Sequence, residues 1–227
     1  MILIMGANGS QGRRYKAILN QLNKQFLCFD SADYKHKGCA VCNNHYDIQN
    51  QFFHYLIKTE AKISGVIICT PTSEHLDCIK LCLRNGLKVP ILCEKPISKD
   101  IVQLKDVLKE CEISDVKVGM VYQYYHLVKS KAKEESHYDY FNHGKDGLIW
   151  DCLQIIGNAR STVCLKEESP IWDCKINGEA LHIEDMDGAY FDEIALWLNG
   201  HSMSHSKIID IHQKVEDYDR NYQIGKR

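Results

Sequence analysis

The stretch MILIMGANGSQGRRY, residues 1–15, decides the fold that this sequence predicts. Its apolar residues Ile2–Met5 predict a short buried strand, and the helical spacing of apolar residues over Gln11–Asn23 predicts a helix. Three glycines lie between these elements: Gly6, Gly9 and Gly12. Glycine lets the backbone approach an anion closely, and the free amides at the start of a helix attract one. The stretch therefore indicates a phosphate site between a strand and a helix.

Asp30, at the end of the next predicted strand, indicates which phosphate-containing ligand is bound. That strand covers Gln25–Phe29 and ends at Asp30, 18 residues after Gly12. A carboxylate at this place can accept hydrogen bonds from the ribose hydroxyls of NAD and would repel the 2′-phosphate of NADP, so we expect NAD rather than NADP. The expected dinucleotide contacts are Asp30 and the glycine turn, which we define as Gly6, Ala7, Asn8, Gly9, Ser10, Gln11 and Gly12. The simpler alternative is a tight turn without a ligand and an aspartate that merely ends a strand.

Composition limits the classes of function. The chain has 227 residues and a net charge of −2, which favours neither nucleic acid nor an anionic membrane surface as a partner. No apolar run is as long as a membrane span, and the N-terminus lacks the pattern of a secretion signal, so we expect a cytoplasmic protein. Eleven cysteines, an odd number, are expected to be reduced thiols that serve as small apolar residues.

Apolar runs alternate with helical patterns over the first half of the chain. Three further strands are predicted at Ser64–Cys69, Val89–Cys93 and Val116–Tyr122. Helices are predicted between them, and Ser98 is expected to cap the second of these helices. Continuously apolar strands that alternate with helices are typical of a parallel sheet covered on both faces.

The pattern changes after about residue 124. The charge run Lys129–Glu135, within the polar stretch Lys129–Asp146, is interpreted as a solvated face or linker. Later elements are shorter: strands near Leu148–Ile156, Thr162–Leu165, Ile171–Ile176 and Ala180–Ile183, then helices over Gly188–Leu198 and Lys207–Tyr218. We therefore expect an α/β fold in which a doubly wound parallel sheet over residues 1–120 precedes a small α+β domain over residues 121–227.

Two strand ends carry residues suited to chemistry. Cys69–His75 reads CTPTSEH and Glu94–Ser98 reads EKPIS, and each follows a predicted strand. Ligands of open α/β sheets collect beyond the carboxyl ends of the strands. Lys95 precedes Pro96, whose ring restricts the backbone and permits a cis peptide, and a lysine near a nicotinamide can polarise a carbonyl or orient a hydroxyl. The simpler alternative is an exposed lysine in a loop.

Taken in order, these motifs resemble the glucose–fructose oxidoreductase/inositol dehydrogenase family, Gfo/Idh/MocA. The residues that carry the resemblance are GANGSQGRRY at Gly6–Tyr15, Asp30, CTPTSEH at Cys69–His75, CEKPIS at Cys93–Ser98 and VGMVYQYYH at Val118–His126. The resemblance implies a Rossmann domain followed by an α+β domain whose open sheet forms one wall of the substrate site. It also implies nicotinamide-dependent hydride transfer at a hydroxyl carbon of a sugar, cyclitol or sugar nucleotide, with a homo-oligomer expected.

The same resemblance assigns roles to residues. Lys95 matches the substrate-contacting lysine of the family's E-K-P motif. Cofactor contacts are implied for Cys69, Thr70, Pro71, His75, Glu94 and Lys95. Asp151 falls at the aspartate of the family's D-x-x-x-H pattern and is a candidate to grip a substrate hydroxyl.

The chain departs from the family in two places. Ile155 stands where the family has the histidine of that pattern, and Gln123 stands where an arginine is common. The proton would then be handled by another group, with Lys95, Tyr122, Tyr124, His126 and His143 as candidates. We select Lys95, Asp151 and Tyr122 as the catalytic set. Completion of the site by a partner subunit, or nucleotide binding without turnover, remain the alternatives.

A cysteine–histidine group raises a third possibility. His36, Cys39, Cys42 and His45 recur at three-residue intervals, and such ligands suit zinc. The second half of a zinc pattern is absent, and the stretch falls where a Rossmann fold has its third strand. We therefore favour a strand and expect no metal.

Overall fold

The computed structural model describes residues 1–30, 39–41, 62–122, 137–141, 162–166, 173–176, 179–180 and 184–225. Side-chain surroundings are described for residues 1–30, 62–122 and 187–220. These ranges include the glycine turn, both strand ends that carry the candidate chemistry, and two helices near the C-terminus.

Six parallel strands form the larger sheet. They are β1 (Ile2–Met5), β2 (Phe26–Asp30), β3 (Cys39–Val41), β4 (Gly65–Ile68), β5 (Ile91–Cys93) and β6 (Val118–Met120). Their order across the sheet is β3-β2-β1-β4-β5-β6, and Ile4 pairs with Cys28 on one side and with Ile67 on the other. The predicted parallel sheet is confirmed. Because the strand order reverses between β1 and β4, a crevice opens at their carboxyl ends.

Five α-helices accompany the strands in the part of the chain that the structure describes. They are α1 (Ser10–Gln21), α2 (His75–Arg84), α3 (Ile101–Ile113), α4 (Glu184–Leu198) and α5 (His205–Gly225), and a 3₁₀ turn at Thr72–Glu74 precedes α2. The prediction that Ser98 caps α3 is wrong. The carboxylate of Asp100 accepts hydrogen bonds from the amides of Val102 and Gln103, at 2.9 and 3.0 Å. Asp100 sits one residue before the helix, where such a side chain satisfies the free amides.

Both faces of the six-stranded sheet are covered by helices. One face carries Leu3, Met5 and Ile68, and the first core cluster that forms on it includes side chains of α2, α3 and α5. The other face carries Ile4 and Ile67, and its second core cluster includes side chains of α1 and α4. Alternation of strand side chains explains the two clusters, since successive residues point to opposite faces.

The two C-terminal helices cover opposite faces of this sheet. Helix α5 contributes Ile208, Ile211 and Val215 to the first core cluster. Helix α4 contributes Trp197 to the second, and a side chain at Gly65 would come within 2.7 Å of the Trp197 ring. The division of the chain near residue 121 stays a prediction, whereas these helices belong to the core of the first sheet.

A smaller sheet has four strands. They are β7 (His137–Phe141), β8 (Thr162–Lys166), β9 (Asp173–Ile176) and β10 (Glu179–Ala180), in the order β10-β9-β7-β8. Strand β7 pairs parallel with β8 and antiparallel with β9. Strand β7 is not among the predicted strands, because it lies within the polar stretch Lys129–Asp146, which predicts a solvated face or linker when its polarity is averaged. Tyr138 and Tyr140 alternate with polar neighbours there, which is a strand pattern. The predicted strand at Leu148–Ile156 lies outside the described residues.

The described residues bear on two features considered from composition, namely membrane-spanning helices and the state of the cysteines. None of the described helices is long and apolar enough to cross a membrane. Cysteines with described side chains are free thiols: Cys28, Cys69, Cys78, Cys82, Cys93 and Cys111. Most of them are buried in the two core clusters, as expected of small apolar residues.

Candidate active site

Close backbone contacts explain two of the three glycines in the glycine turn. Gly6 has a φ of +83°, and a Cβ there would lie 2.7 Å from the backbone of Cys69, at the end of β4. A Cβ on Gly12 would lie 2.6 Å from the Cα of Ala7, so only glycine lets α1 start this close to the turn. Gly9 is exposed and extended, which leaves its backbone accessible from outside the protein. The turn therefore has the shape of a cradle for a group that approaches near Gly9.

Asp30 lies beside the glycine turn and holds part of it. Its Oδ2 accepts a hydrogen bond from the Asn8 amide at 2.7 Å, and the carboxylate is largely buried. Arg13 donates to the Asn8 carbonyl, also at 2.7 Å. The first amides of α1 have no acceptor inside the helix, and the helix dipole adds positive potential at the same place. The residues present therefore fit a dinucleotide pyrophosphate next to the turn and a ribose next to Asp30.

A cavity of about 710 Å³ opens at the carboxyl ends of β4 and β5. Its walls come from the glycine turn at Gln11, from the Cys69–His75 turn, and from Glu94 and Lys95. These segments lie far apart in the sequence, and the sheet topology brings them together at one edge. The cavity is also lined by Lys99 and Gln103, which are not among the predicted site residues.

His75 ties two of the cavity walls together. Its ring is buried, with Nε2 2.9 Å from the carbonyl oxygen of Thr70 and Nδ1 2.9 Å from that of Pro96. Carbonyl oxygens only accept hydrogen bonds, so a neutral imidazole can donate to one of them and an imidazolium to both. His75 therefore has a structural role at the cavity in addition to lining it.

Glu94 is a largely buried residue of the cavity wall. Its Oε1 accepts a hydrogen bond from the Tyr15 hydroxyl, and its Oε2 accepts one from the Lys95 amide at 3.2 Å. Burial raises the pKa of Glu94, while these donors and the charge of Lys95 act in the opposite direction. Burial likewise raises the pKa of Tyr15, which stays a neutral donor. The carboxylate thus links α1 to the lysine loop, which we define as Glu94–Ser98.

The role of Tyr15 is not apparent from the sequence pattern. The helical spacing places this residue at one of the apolar positions of α1, and the fully buried ring fits that interpretation. Tyr190 of α4 contacts the same ring edge-on, with centroids 6.0 Å apart, and Arg14 lies 4.5 Å above the Tyr190 ring. A signal was available, because a buried tyrosine hydroxyl nearly always has a hydrogen-bond partner.

The predicted catalytic residues lie in different places. Lys95 lines the cavity, is partly buried, and precedes Pro96 through a cis peptide bond. Tyr122 is 5% exposed and packs in the first core cluster, and it is not one of the described residues that line the cavity. Asp151 lies outside the described residues, as do Gln123, Tyr124, His126, His143 and Ile155. Of the zinc-spaced group, Cys39 lies in β3 as predicted, and His36, Cys42 and His45 lie outside the described residues.

Comparison with known proteins agrees with this geometry. Residues 1–122 match the model of the GFO_IDH_MocA family, described as an oxidoreductase family with an NAD-binding Rossmann fold. An inositol 2-dehydrogenase from Rhizobium meliloti (strain 1021) is 40% identical over 65 residues. That match covers 29% of this chain and only 18% of the enzyme.

Solved structures share the fold at low identity. A WlbA (WbpB) dehydrogenase from Thermus thermophilus, in complex with NAD and UDP-GlcNAcA, superposes with a TM-score of 0.72 at 11% identity. That superposition covers 95% of this chain and 93% of the other. A myo-inositol dehydrogenase from Corynebacterium glutamicum ATCC 13032 gives a TM-score of 0.66 at 14% identity, covering 94% and 93% of the two chains. The chain therefore belongs to the Gfo/Idh/MocA oxidoreductase family, and residues 1–122 carry its NAD-binding Rossmann fold.

Proposed function

We propose that this chain is an NAD-dependent oxidoreductase that transfers a hydride between the nicotinamide and a hydroxyl carbon of a small polyol, sugar or sugar nucleotide. One observation carries the proposal. A single cavity is lined by the glycine turn at Gln11 and by Lys95, so a dinucleotide that begins on the turn leads toward a positioned cation. Bound nicotinamide supplies or accepts the hydride, and the protein has to bind and orient the substrate oxygen.

Preference for NAD over NADP is part of the proposal, and Asp30 supports it. Its carboxylate is buried beside the glycine turn and already accepts the Asn8 amide. A phosphate ester on the ribose would bring a second anion against this carboxylate in a partly desolvated place. The ribose hydroxyls of NAD can instead donate hydrogen bonds to it.

Lys95 is the residue that we expect to act on the substrate oxygen. Its ammonium group can donate a hydrogen bond to a hydroxyl or carbonyl and stabilise negative charge that develops on oxygen during hydride transfer. Glu94 and Pro96 on either side of it are held by buried hydrogen bonds, so its backbone is well placed. Asp151 is proposed to grip a second substrate hydroxyl, and Tyr122 is kept as a proton-transfer candidate despite its place in the core.

The substrate class rests on the relatives rather than on this chain alone. The inositol 2-dehydrogenase and the dehydrogenase crystallised with UDP-GlcNAcA both point to a molecule with several hydroxyl groups.

We further propose that residues 121–183, which include the smaller sheet, supply the substrate side of the site, and that the protein forms a homo-oligomer. Light scattering coupled to size-exclusion chromatography tests the assembly.

A second candidate is a nucleotide-binding sensor or regulator without turnover. Ile155, which carries no proton, stands at the family's histidine position, and Tyr122 packs in the core. Both observations reduce the number of groups available for proton transfer. Reduction of NAD by any member of a panel of cyclitols, sugars and sugar nucleotides would exclude this candidate.

The first experiment compares NADH and NADPH in separate fluorescence titrations, followed by that substrate panel. The proposal expects tighter binding of NADH, and turnover that falls by about 100-fold or more in Lys95→Ala with little change in NADH affinity. Lys109→Ala is the matched control, because Lys109 is exposed on α3 and lies outside the cavity. Normal turnover in Lys95→Ala overturns the role of Lys95, and no binding of either nucleotide overturns the function.

A further inference from the structure

His212 makes a long-range contact with the lysine loop. This residue of α5 is fully buried, and its Nε2 accepts a hydrogen bond from the Ile97 amide at 3.2 Å. Its Nδ1 donates to the carbonyl oxygen of Ile208, one turn earlier in the same helix, at 2.8 Å. Since Nε2 accepts and Nδ1 donates, the ring is in the neutral tautomer that carries its proton on Nδ1. Both ring nitrogens are therefore used.

The surroundings of His212 keep the ring neutral. Burial lowers its pKa to about 4, and the hydrogen bond to Ile208 opposes this only in part. Ile97 and Ile208 are both fully buried members of the first core cluster. An acceptor for the Ile97 amide has to come from a side chain that can enter this apolar place, and His212 supplies it.

Two histidines hold one peptide group. The Pro96 carbonyl and the Ile97 amide belong to the same peptide unit. His75 Nδ1 lies 2.9 Å from the carbonyl oxygen, and His212 Nε2 lies 3.2 Å from the amide nitrogen. His75 starts α2 and His212 lies in α5, so the unit is held from two separate segments of the chain. This peptide group begins one residue after Lys95.

We propose that His212 is a positioning residue, which fixes the backbone of the lysine loop through the Ile97 amide and thereby sets the place of Lys95 in the cavity. The proposal rests on the proposed function of Lys95. A lysine side chain has many rotamers, so its reach depends on where its Cα is held. A displacement of about 1 Å at a reacting group can cost about 100-fold in rate. The C-terminal helix α5 is accordingly part of the active-site support.

Three substitutions separate positioning from simple core filling. His212→Asn places an amide nitrogen near the Nδ1 position and retains a donor for Ile208, but it has no acceptor that reaches Ile97. His212→Gln places an oxygen near the Nε2 position and retains the acceptor. His212→Leu fills the space with an apolar group and leaves the Ile97 amide without an acceptor. The first and third variants should behave alike, and the second should resemble the wild type.

The expected kinetic result is a change in kcat. We expect His212→Asn and His212→Leu to lower kcat by about tenfold to 100-fold, with the Kd for NADH within about twofold of wild type. His212→Gln should recover most of the lost kcat. If His212 only fills space in the core, all three variants should lose thermal stability, and their kcat values should not depend on whether the new side chain can accept the Ile97 hydrogen bond.

A second measurement does not need turnover. Lysines are labelled by reductive ¹³C-methylation, and Lys95→Arg identifies the Lys95 signal in the NMR spectrum. We expect this signal to shift or broaden in His212→Asn and His212→Leu and to stay in place in His212→Gln. If wild-type protein oxidises none of the substrate panel, the proposed function fails while this signal still decides the positioning role. The inference is overturned if the Lys95 signal does not move in His212→Asn and His212→Leu. If one of these two variants does not fold, the other one alone decides the outcome.

Discussion

The hydroxyl group of Tyr15 donates a hydrogen bond to the carboxylate of Glu94, and both side chains are buried. Tyr15 lies on the helix that follows the glycine turn, and Glu94 immediately precedes Lys95. The contact therefore joins the cofactor side of the cavity to the lysine that we expect to act on the substrate. Neither residue is exposed enough for bulk water to replace the lost partner.

Removal of the Tyr15–Glu94 hydrogen bond should lower the stability of the folded protein. Tyr15→Phe leaves one oxygen of a buried carboxylate without its donor, and we expect the free energy of unfolding to fall by about 1–3 kcal/mol. Urea denaturation of Tyr15→Phe, Glu94→Leu and the double variant forms a double-mutant cycle, because each single variant removes the hydrogen bond. A coupling free energy near zero would show that the two side chains do not stabilise each other.

The glycine turn offers a matched pair of substitutions. A Cβ on Gly12 would meet the Ala7 backbone, so Gly12→Ala should lower the thermal midpoint by several degrees. A Cβ on Gly9 would lie 3.4 Å from the Gly6 carbonyl oxygen, which is ordinary contact, so Gly9→Ala should fold normally. We expect Gly9→Ala to weaken NADH binding by about tenfold, since the methyl group blocks the approach of the pyrophosphate. Unchanged binding in Gly9→Ala would place the dinucleotide elsewhere.

Asp30 should control the choice of nucleotide. Asp30→Asn keeps an oxygen that can accept the Asn8 amide but removes the negative charge. We expect about a tenfold loss of NADH affinity, or about 1.4 kcal/mol, with a smaller loss or a gain for NADPH. Fluorescence titrations of both nucleotides give the ratio. Equal losses for the two nucleotides would mean that Asp30 only supports the turn.

His212 should make stability depend on pH. Its pKa is about 4 in the folded protein and 6.5 when unperturbed, so the unfolded chain binds more protons between these values. Its contribution is complete above pH 6.5 and is lost as pH falls toward 4. When the pH falls from 7.5 to 4.5, we expect the free energy of unfolding of the wild type to decrease by about 2–3 kcal/mol more than that of His212→Gln. Parallel pH profiles of the two proteins, measured by urea denaturation, would contradict this.

Local patterns in the sequence predicted the parts of the site that lie on continuous segments. The apolar run Ile2–Met5, the glycines after it and the lysine loop each occupy the expected place at the edge of the sheet. Local patterns could not predict two hydrogen bonds of the site, Tyr15–Glu94 and Ile97–His212, because each joins residues that are 79 or more positions apart. Only the three-dimensional path of the chain brings such partners together.

Other differences have local physical causes. Ser98 and Asp100 are both good caps, and the choice between them depended on where the loop after Pro96 turns into α3. Strand β7 has alternating aromatic residues inside a charged region, and the average polarity of that region hid the alternation. Tyr122 is a proton-transfer candidate because of its hydroxyl group, and packing on one face of the sheet places its side chain in the core.

The placement of α4 and α5 on opposite faces of the larger sheet also affects how the protein is made. Residues 1–122 leave the ribosome before α4 and α5, yet both faces of their sheet stay partly uncovered until the side chains of Trp197 and Val215 have been synthesised. Domains fold as units during synthesis, and contacts between distant segments form slowly. The larger sheet is therefore expected to complete its folding only after α5 has been synthesised, because the lysine loop gains its contact with His212 only then.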